Sequence, residues 1–516
     1  MGGHGAWIVA VNQPDMAICL SPSAGWVKKE EYGTSNSFFA LDVSNTYIDP
    51  SLKRILEIAM SEFHVDKLVS NLQNQKVHIR VGSSDTTTHP WYSRRMFRLL
   101  NDYDIDCAIE ETQGKQHWWW DTHKSNDGGA VNDDLMRKFY SSCLQLSNSI
   151  INSSVNSLDM IENESRTRKV SSSPCMKPFT ISVINPGTHE GFCGAQVIQQ
   201  HKGLSLTTVK TKCINMDTGK RECFLDSGNN VRRMELTVGD NTFLHEAHSL
   251  TIDNQLVINF VDYTSTSFFI CWDDSSYKPS HCSGPINPLS EKTLRTTGPL
   301  RHVYSRPFII VYGTPQESEM RLAMRDLAVY IGNSNLAAHN THVRVITDLD
   351  YRSNKYYLQD DPANVIFIGG PTQNKAVKNL CQFKEDDNNE KNHCITPVKF
   401  ALNDDNDGRI LNFSIGPHTF RNLDQSLIFT MPLQTNETSA MGVCLHANTP
   451  EGYLDLSRLA WPVPPPMVRA PFANYIPDYI VINQKIWAYG FGGVIAAGYW
   501  NSTWSFDPLQ AYIAFN

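Results

Sequence analysis

Three glycines fall within the first five residues, in "MGGHGAW", and run directly into the apolar stretch Ala6-Trp7-Ile8-Val9-Ala10-Val11. Glycine at that density lets backbone approach backbone and follow the tight turn that joins a buried strand to a helix. The apolar run behind it predicts a helix buried on more than one face. A chain opening this way is committed to layered packing of helix on strand, and a strand is expected ahead of the turn.

The next 140 residues continue that alternation. "MAICLSPSAGW" reads as a buried strand and its loop, and "DPSLKRILEIAMSEF" as an amphipathic helix with Asp49 as cap and Pro50 in the first turn. "KVHIRVGSSD" is a strand ending in a loop that holds Asp85. "PWYSRRMFRLLNDY" is a helix, "DIDCAIEE" an edge strand, "TQGKQHWWWD" a loop holding His117, and "NDDLMRKFYSSCLQL" a closing helix. This βαβα order predicts a parallel sheet covered by helices over residues 1–145.

Residues 146–176 turn polar and read as a linker. Short β-type runs such as "PFTISVIN", "NVRRMELTV" and "SFFICW" fill 177–300 and predict a β-sandwich-like domain. A small α/β region follows at 301–395, with "RPFIIVYGT", the helix "SEMRLAMRDLAVYI" and the strand "NVIFIGG". The tail, 396–516, is β-rich.

The chain has 516 residues, more than one core usually organises. Its 45 basic against 53 acidic residues form no lysine- or arginine-rich block, which argues against a nucleic-acid partner. "YIVINQKIWAYGFGGVIAAGYW" is broken by Asn483, Gln484 and Lys485, leaving about a dozen clean apolar residues where a membrane span needs about 20; it reads as core. Among 12 cysteines, Cys213/Cys223, Cys271/Cys282 and Cys381/Cys394 are spaced like loop staples, and sequons stand at Asn152, Asn163, Asn412, Asn436 and Asn501. Together they point to the secretory pathway or the extracellular space.

The opening also fits the second half of a nucleophile elbow of the form G-x-S-M-G-G-H-G-A, in which a serine sits on a strained strand-to-helix turn. That pattern puts the serine immediately before Met1 and leaves Gly2, Gly3, His4 and Gly5 as the elbow's remnant. Asp85, 84 residues after Met1, and His117, 32 further on, follow in the order serine, acid, base. Both stand at carboxyl ends of strands, where open α/β sheets build their sites.

"MGGHGAW", "GSSDTTTHPWYSRRM" and "GKQHWWWDTHKSNDGGAVNDDLMRKFY" resemble the carboxyl-terminal half of a prolyl oligopeptidase family catalytic domain, in a branch of large members. "GPLRHVYSRPFIIVYGT", "NVIFIGGPTQNKAV" and the late apolar stretch are similar to the region downstream. The resemblance implies a partial α/β-hydrolase half-domain, then a β-sandwich-like domain and a small α/β plus β region. It implies a serine-type hydrolase or peptidase acting on a peptide or ester. In it Asp85 orients His117, His117 is general base, and the Met1 backbone N–H is an oxyanion donor. No cofactor and no metal are implied. The chain reads as starting just past the serine, and so as inactive without it. The alternative is a non-catalytic binding or scaffold protein that keeps the half-domain for packing.

His89 and His123 compete for the base, and Asp121 and Asp127 for the acid, but none occupies the matched position. "SNDGG" lacks the acidic alternation of a calcium loop, "FIGGPTQNK" fails P-loop spacing, and the cysteine pairs are too far apart for metal knuckles.

Overall fold

In "KVHIRVG" Val77, Ile79 and Val81 alternate along the chain and all are buried, the period of two of a strand laid on a core. In the computed structural model they form β2 (Lys76–Gly82). The structure describes residues 2–28, 48–119, 133–155, 174–260, 266–282, 286–353, 363–381, 396–405, 408–435, 438–459 and 475–514. They divide into two units: the described residues of Met1–Asn36, Glu62–Gln200 and Ser205–Ser283, and those of Ser37–Ser61, His201–Leu204 and Gly284–Asn516. The architecture is mixed α/β with several sheets.

In the first unit β1 (Cys19–Leu20) and β3 (Cys107–Thr112) flank β2 in parallel. Helix α1 (Gly2–Asn12) buries Gly3, His4, Trp7, Ala10 and Val11. That spacing of three and four is a single helical face, and Val9 on another face is 54% exposed. The expectation of burial on more than one face is therefore corrected: the run is apolar throughout, but the core it joins covers one side. Helix α2 (Pro50–Ile58) starts as expected, with the Asp49 carboxylate accepting the Ser51 N–H at 2.7 Å, but it belongs to the second unit. An amphipathic pattern fixes which face of a helix is buried and leaves open what it is buried against. Helix α3 (Trp91–Asp102) packs Tyr92, Met96 and Leu100 into the core around β2. Helix α4 (Asp134–Val155) is started by the Asp133 carboxylate, which accepts the Met136 N–H at 2.9 Å. It continues past residue 146, and the Cys19–Cys143 disulfide ties it to β1.

The same unit contains a two-layer β-sandwich. One sheet has the order β10-β9-β7-β6-β4 and the other β12-β11-β8-β5. The strands are β4 (Phe179–Val183), β5 (Ala195–Gln200), β6 (Thr207–Asn215), β7 (Arg221–Asp226), β8 (Val231–Thr237), β9 (Ser249–Ile252), β10 (Leu256–Asn259), β11 (Ser267–Trp272) and β12 (Pro279–Cys282). Alternate residues such as Ile181, Val209, Leu225, Met234 and Ile270 fill the space between the layers. Cys213–Cys223, Cys271–Cys282 and Cys175–Cys193 are disulfides. Cys381 is disulfide-bonded too, while Cys394 lies outside the described residues.

The sandwich is joined to the part built on the β1-β2-β3 sheet by buried polar contacts. The Asn71 amide donates to the Val11 carbonyl at 2.8 Å and the Ser182 carbonyl at 2.7 Å, and its oxygen accepts the Ser182 N–H at 2.7 Å. The Ser70 hydroxyl donates to that of Ser182 at 2.7 Å.

In the second unit one eight-stranded sheet unites the small α/β region with the tail, in the order β14-β13-β15-β20-β19-β21-β22-β23. Its strands β13 (Phe308–Tyr312), β14 (Arg344–Thr347), β15 (Asn364–Ile368) and β20 (Thr438–His446) are parallel. The sheet continues antiparallel through β19 (Ser426–Thr435), β21 (Tyr479–Ile482), β22 (Ala496–Trp500) and β23 (Phe506–Ile513). A smaller sheet of β16 (Val398–Asp405), β17 (Gly408–Ile415) and β18 (His418–Phe420) packs on it through Phe400, Phe413 and Ile415. Helix α2 lies against β22 and β23, where the Tyr499 hydroxyl donates to the Ile55 carbonyl at 3.2 Å. The late apolar stretch supplies β21 and β22. Among the described residues no helix is long and apolar enough to cross a membrane.

Candidate active site

Strands β2 and β3 end side by side, and the loops that follow are stitched together by backbone. Ser83 N–H donates to the Thr112 carbonyl at 3.0 Å and Ser84 N–H to the Lys115 carbonyl at 2.9 Å, and the Ser83 hydroxyl oxygen accepts the Gly114 N–H at 2.8 Å. Gly82 is required at the crossing: a Cβ there would lie 2.4 Å from the Lys115 carbonyl oxygen.

This close approach brings Asp85 and His117 together, both buried. The imidazole Nδ1 lies 2.7 Å from Asp85 Oδ2. The other carboxylate oxygen, Oδ1, accepts the N–H groups of Thr87 and Thr88, each at 2.8 Å. A carboxylate can only accept, so Nδ1 carries the proton and Nε2 is the basic nitrogen. Asp85 is thus a turn former on one oxygen and the imidazole's partner on the other. The backbone donors at Thr87 and Thr88 were missed, and the signal for them was the same aspartate-initiated turn.

The histidine loop is held from the far side as well. Buried Arg80 on β2 pairs with Glu110 at 2.9 Å and with Asp133, at the start of α4, at 2.6 Å. Its guanidinium carbon lies 5.1 Å from the centre of the Trp119 ring, a cation–π contact that fastens the loop two residues past His117. Trp118 meets the His117 ring edge-on at 4.9 Å and is 65% exposed.

At the start of α1, Gly3 lies against the β1 loop so closely that a Cβ would be 2.1 Å from the Ser23 carbonyl oxygen, and Ser23 in turn bridges Arg80 near the carboxyl end of β2. Gly2 and Gly5 meet nothing within 4 Å, so of the three glycines only Gly3 is fixed by packing. His4 stacks on Trp26 with ring centres 3.4 Å apart and donates from Nδ1 to the Trp26 carbonyl at 3.0 Å. Burial lowers its pKa to about 3, so it is a neutral packing group. Met1, His123, Asp121 and Asp127 lie outside the described residues. His89 is exposed, and its Nδ1 accepts the Trp91 N–H at 3.2 Å at the start of α3. Asp15, Cys175 and Cys193 cluster, but the two cysteines are disulfide-bonded to each other and offer no thiolates to a metal.

No family model matches the chain, and no curated protein matches it. Among solved structures its weak neighbours include a peptidase, a lipase and a depolymerase. A puromycin-hydrolyzing peptidase of Mycobacterium tuberculosis aligns at 17% identity over 22% of this chain and 18% of its own, with a TM-score of 0.18. A monoacylglycerol lipase of Paleococcus ferrophilus aligns at 16% over 28% and 63%, with a TM-score of 0.18. A PHB depolymerase from Penicillium funiculosum aligns at 12% over 40% and 59%, with a TM-score of 0.18. The chain thus spans between 18% and 63% of the length of these structures.

Proposed function

We propose that this chain carries the acid and base of a serine-type hydrolase of the prolyl oligopeptidase kind, with the attacking serine on the residue ahead of Met1. The observation that carries the reading is the 2.7 Å contact between His117 and an Asp85 carboxylate whose second oxygen is already held by two backbone N–H groups. That arrangement fixes the tautomer, aims Nε2 away from the carboxylate and supplies a negative charge to steady an imidazolium.

In the reaction His117 Nε2 takes the hydroxyl proton as the serine oxygen attacks the carbonyl of a peptide or ester. It then returns that proton to the leaving amine or alcohol, and water repeats the cycle on the acyl-enzyme. Asp85 stays ionised throughout. The Met1 N–H is the proposed oxyanion donor, and Gly2, Gly3, His4 and Gly5 would form the turn behind it. The disulfides are compatible with a secreted or extracellular protein, and we place the chain there.

The test is labelling with a fluorophosphonate probe. With a strand and a Gly-x-Ser placed directly ahead of Met1, the chain should label at that serine, and His117→Ala should abolish labelling. Labelling of the present chain at some other serine, or an upstream frame without that serine, would overturn the assignment.

A further inference from the structure

The solvent face of the five-stranded sheet in the sandwich carries an open groove of about 830 Å³. Alternation sends Cys223 and Leu225 of β7 into the core and leaves Phe224 and Asp226 on the outer side. Register then builds two rows of side chains across the strands. One runs Thr180, Lys210, Asp226, and the other Lys212, Phe224, Thr251. Lys212 lies with its ammonium 5.3 Å from the centre of the Phe224 ring.

Three loops close one end of the groove, and a single side chain pins them. Asp253, in the β9–β10 turn, accepts the Ser227 N–H at 2.7 Å, the Ser227 hydroxyl at 2.7 Å and the Trp272 indole N–H at 2.6 Å. The β11–β12 turn, organised by Asp273, presents Tyr277 at the rim. Tyr277 has φ of 52°, the left-handed conformation that closes the turn, where its N–H donates to the Asp273 carbonyl at 3.0 Å, and its side chain is 51% exposed.

We infer that this groove is a binding site for a neutral oligosaccharide. Its charged side chains cancel, Lys210 and Lys212 against Asp226 and Asp253, so it selects no net charge and does not suit a phosphate or a polyanion. Among its other polar groups, Asn254 and Gln255 with the hydroxyls of Thr180 and Thr251 combine donors and acceptors, the mix that ring hydroxyls need. Among the described residues the side chains of Lys210, Asn254 and Gln255 make no hydrogen bond to protein, so their capacity is open to a ligand. Aromatic faces at Phe224 and Tyr277 suit the C–H faces of a pyranose ring. A peptide is the poorer occupant. The strands under the groove spend their backbone groups on each other, and the free edge of β4 is met by the Gln73 amide oxygen, which accepts the Thr180 N–H at 2.8 Å. The volume suits a ligand of a few sugar rings. The site is independent of the hydrolase reading.

The experiment is calorimetric titration of the purified chain with cellohexaose, xylohexaose, mannohexaose and laminarihexaose, beside a heparin hexasaccharide and an unstructured decapeptide. We expect at least one neutral hexaose to bind with Kd between about 10 μM and 1 mM, and Tyr277→Ala to weaken it at least about tenfold. Gln255→Ala, at an exposed turn position, should weaken it several-fold with unchanged thermal unfolding, which keeps the test informative if Phe224→Ala fails to fold. No binding by any neutral hexaose at millimolar concentration, tighter binding of heparin or the peptide, or binding untouched by both Tyr277→Ala and Gln255→Ala would each overturn the proposal.

Discussion

Asp85 shows how much can rest on one side chain. Its two oxygens are divided between the turn that builds the loop and the imidazole that the loop delivers. Asp85→Asn keeps an acceptor for the Thr87 and Thr88 N–H groups, but its amide would favour the opposite tautomer of His117. In the serine-bearing extended protein we expect kcat to fall by about four orders of magnitude with little change in melting temperature; a loss below tenfold would remove Asp85 from the proposed triad. Gly82→Ala acts on the same site through shape. Its methyl would meet the Lys115 carbonyl at 2.4 Å, against backbone that has no flexible end to move. The histidine loop must shift, and we expect fluorophosphonate labelling to slow by about tenfold or more, since catalytic geometry tolerates displacements well under an ångström.

Among elements, the contact of α1 and Asn71 with strand β4 of the sandwich is the one whose chemistry most exceeds its size. Asn71 bonds to α1 and β4 at once, and the buried His189 ring lies 3.2 Å from its amide nitrogen. Asn71→Ala would leave the Ser182 N–H and two carbonyl oxygens buried without that partner. The expected cost is about 1–3 kcal/mol for such unsatisfied groups, read as a lower urea midpoint for the first unit. A change within error would mean that water replaces the amide. The Cys19–Cys143 disulfide closes a loop of 124 residues between β1 and α4. Replacing both cysteines by serine should destabilise the same unit by about 2–4 kcal/mol, because the unfolded chain regains that loop's freedom.

Across the whole molecule, three buried histidines give stability a common dependence on pH. Burial lowers the pKa of His189 from the ordinary 6.5 to about 4, and those of His4 and His446 to about 3. Each is neutral in the folded chain, while in the unfolded chain it protonates below 6.5. Between 6.5 and those lowered values the unfolded state binds more protons, so stability is full above pH 6.5 and is lost as pH falls toward 4. His4 and His189 lie in the first unit and His446 in the second, so both should melt earlier on acidification. A melting temperature that is flat from pH 7 to 4.5 would contradict this, and His446→Gln should flatten the second unit's profile alone.

The candidate site was legible in the sequence because its parts are local. "GSSDTTTHP" and "GKQHWWW" each end a strand, and adjacent strands of a parallel sheet bring such ends to one edge. The elbow glycines were legible as a group, yet only the structure separates Gly3, pressed against backbone, from Gly2 and Gly5, which touch nothing. What the sequence by itself determined is this order of elements, the alternation that sets each buried face, and the close cysteine pairs at 213/223 and 271/282. Tertiary structure alone decided that helix 50–58 serves the second unit, that 308–368 and 426–513 share one sheet, and that Cys19 finds Cys143. The physical reason is one of range: local pattern records whether a face must leave water, whereas the surface that receives it is fixed by packing between residues far apart in the chain.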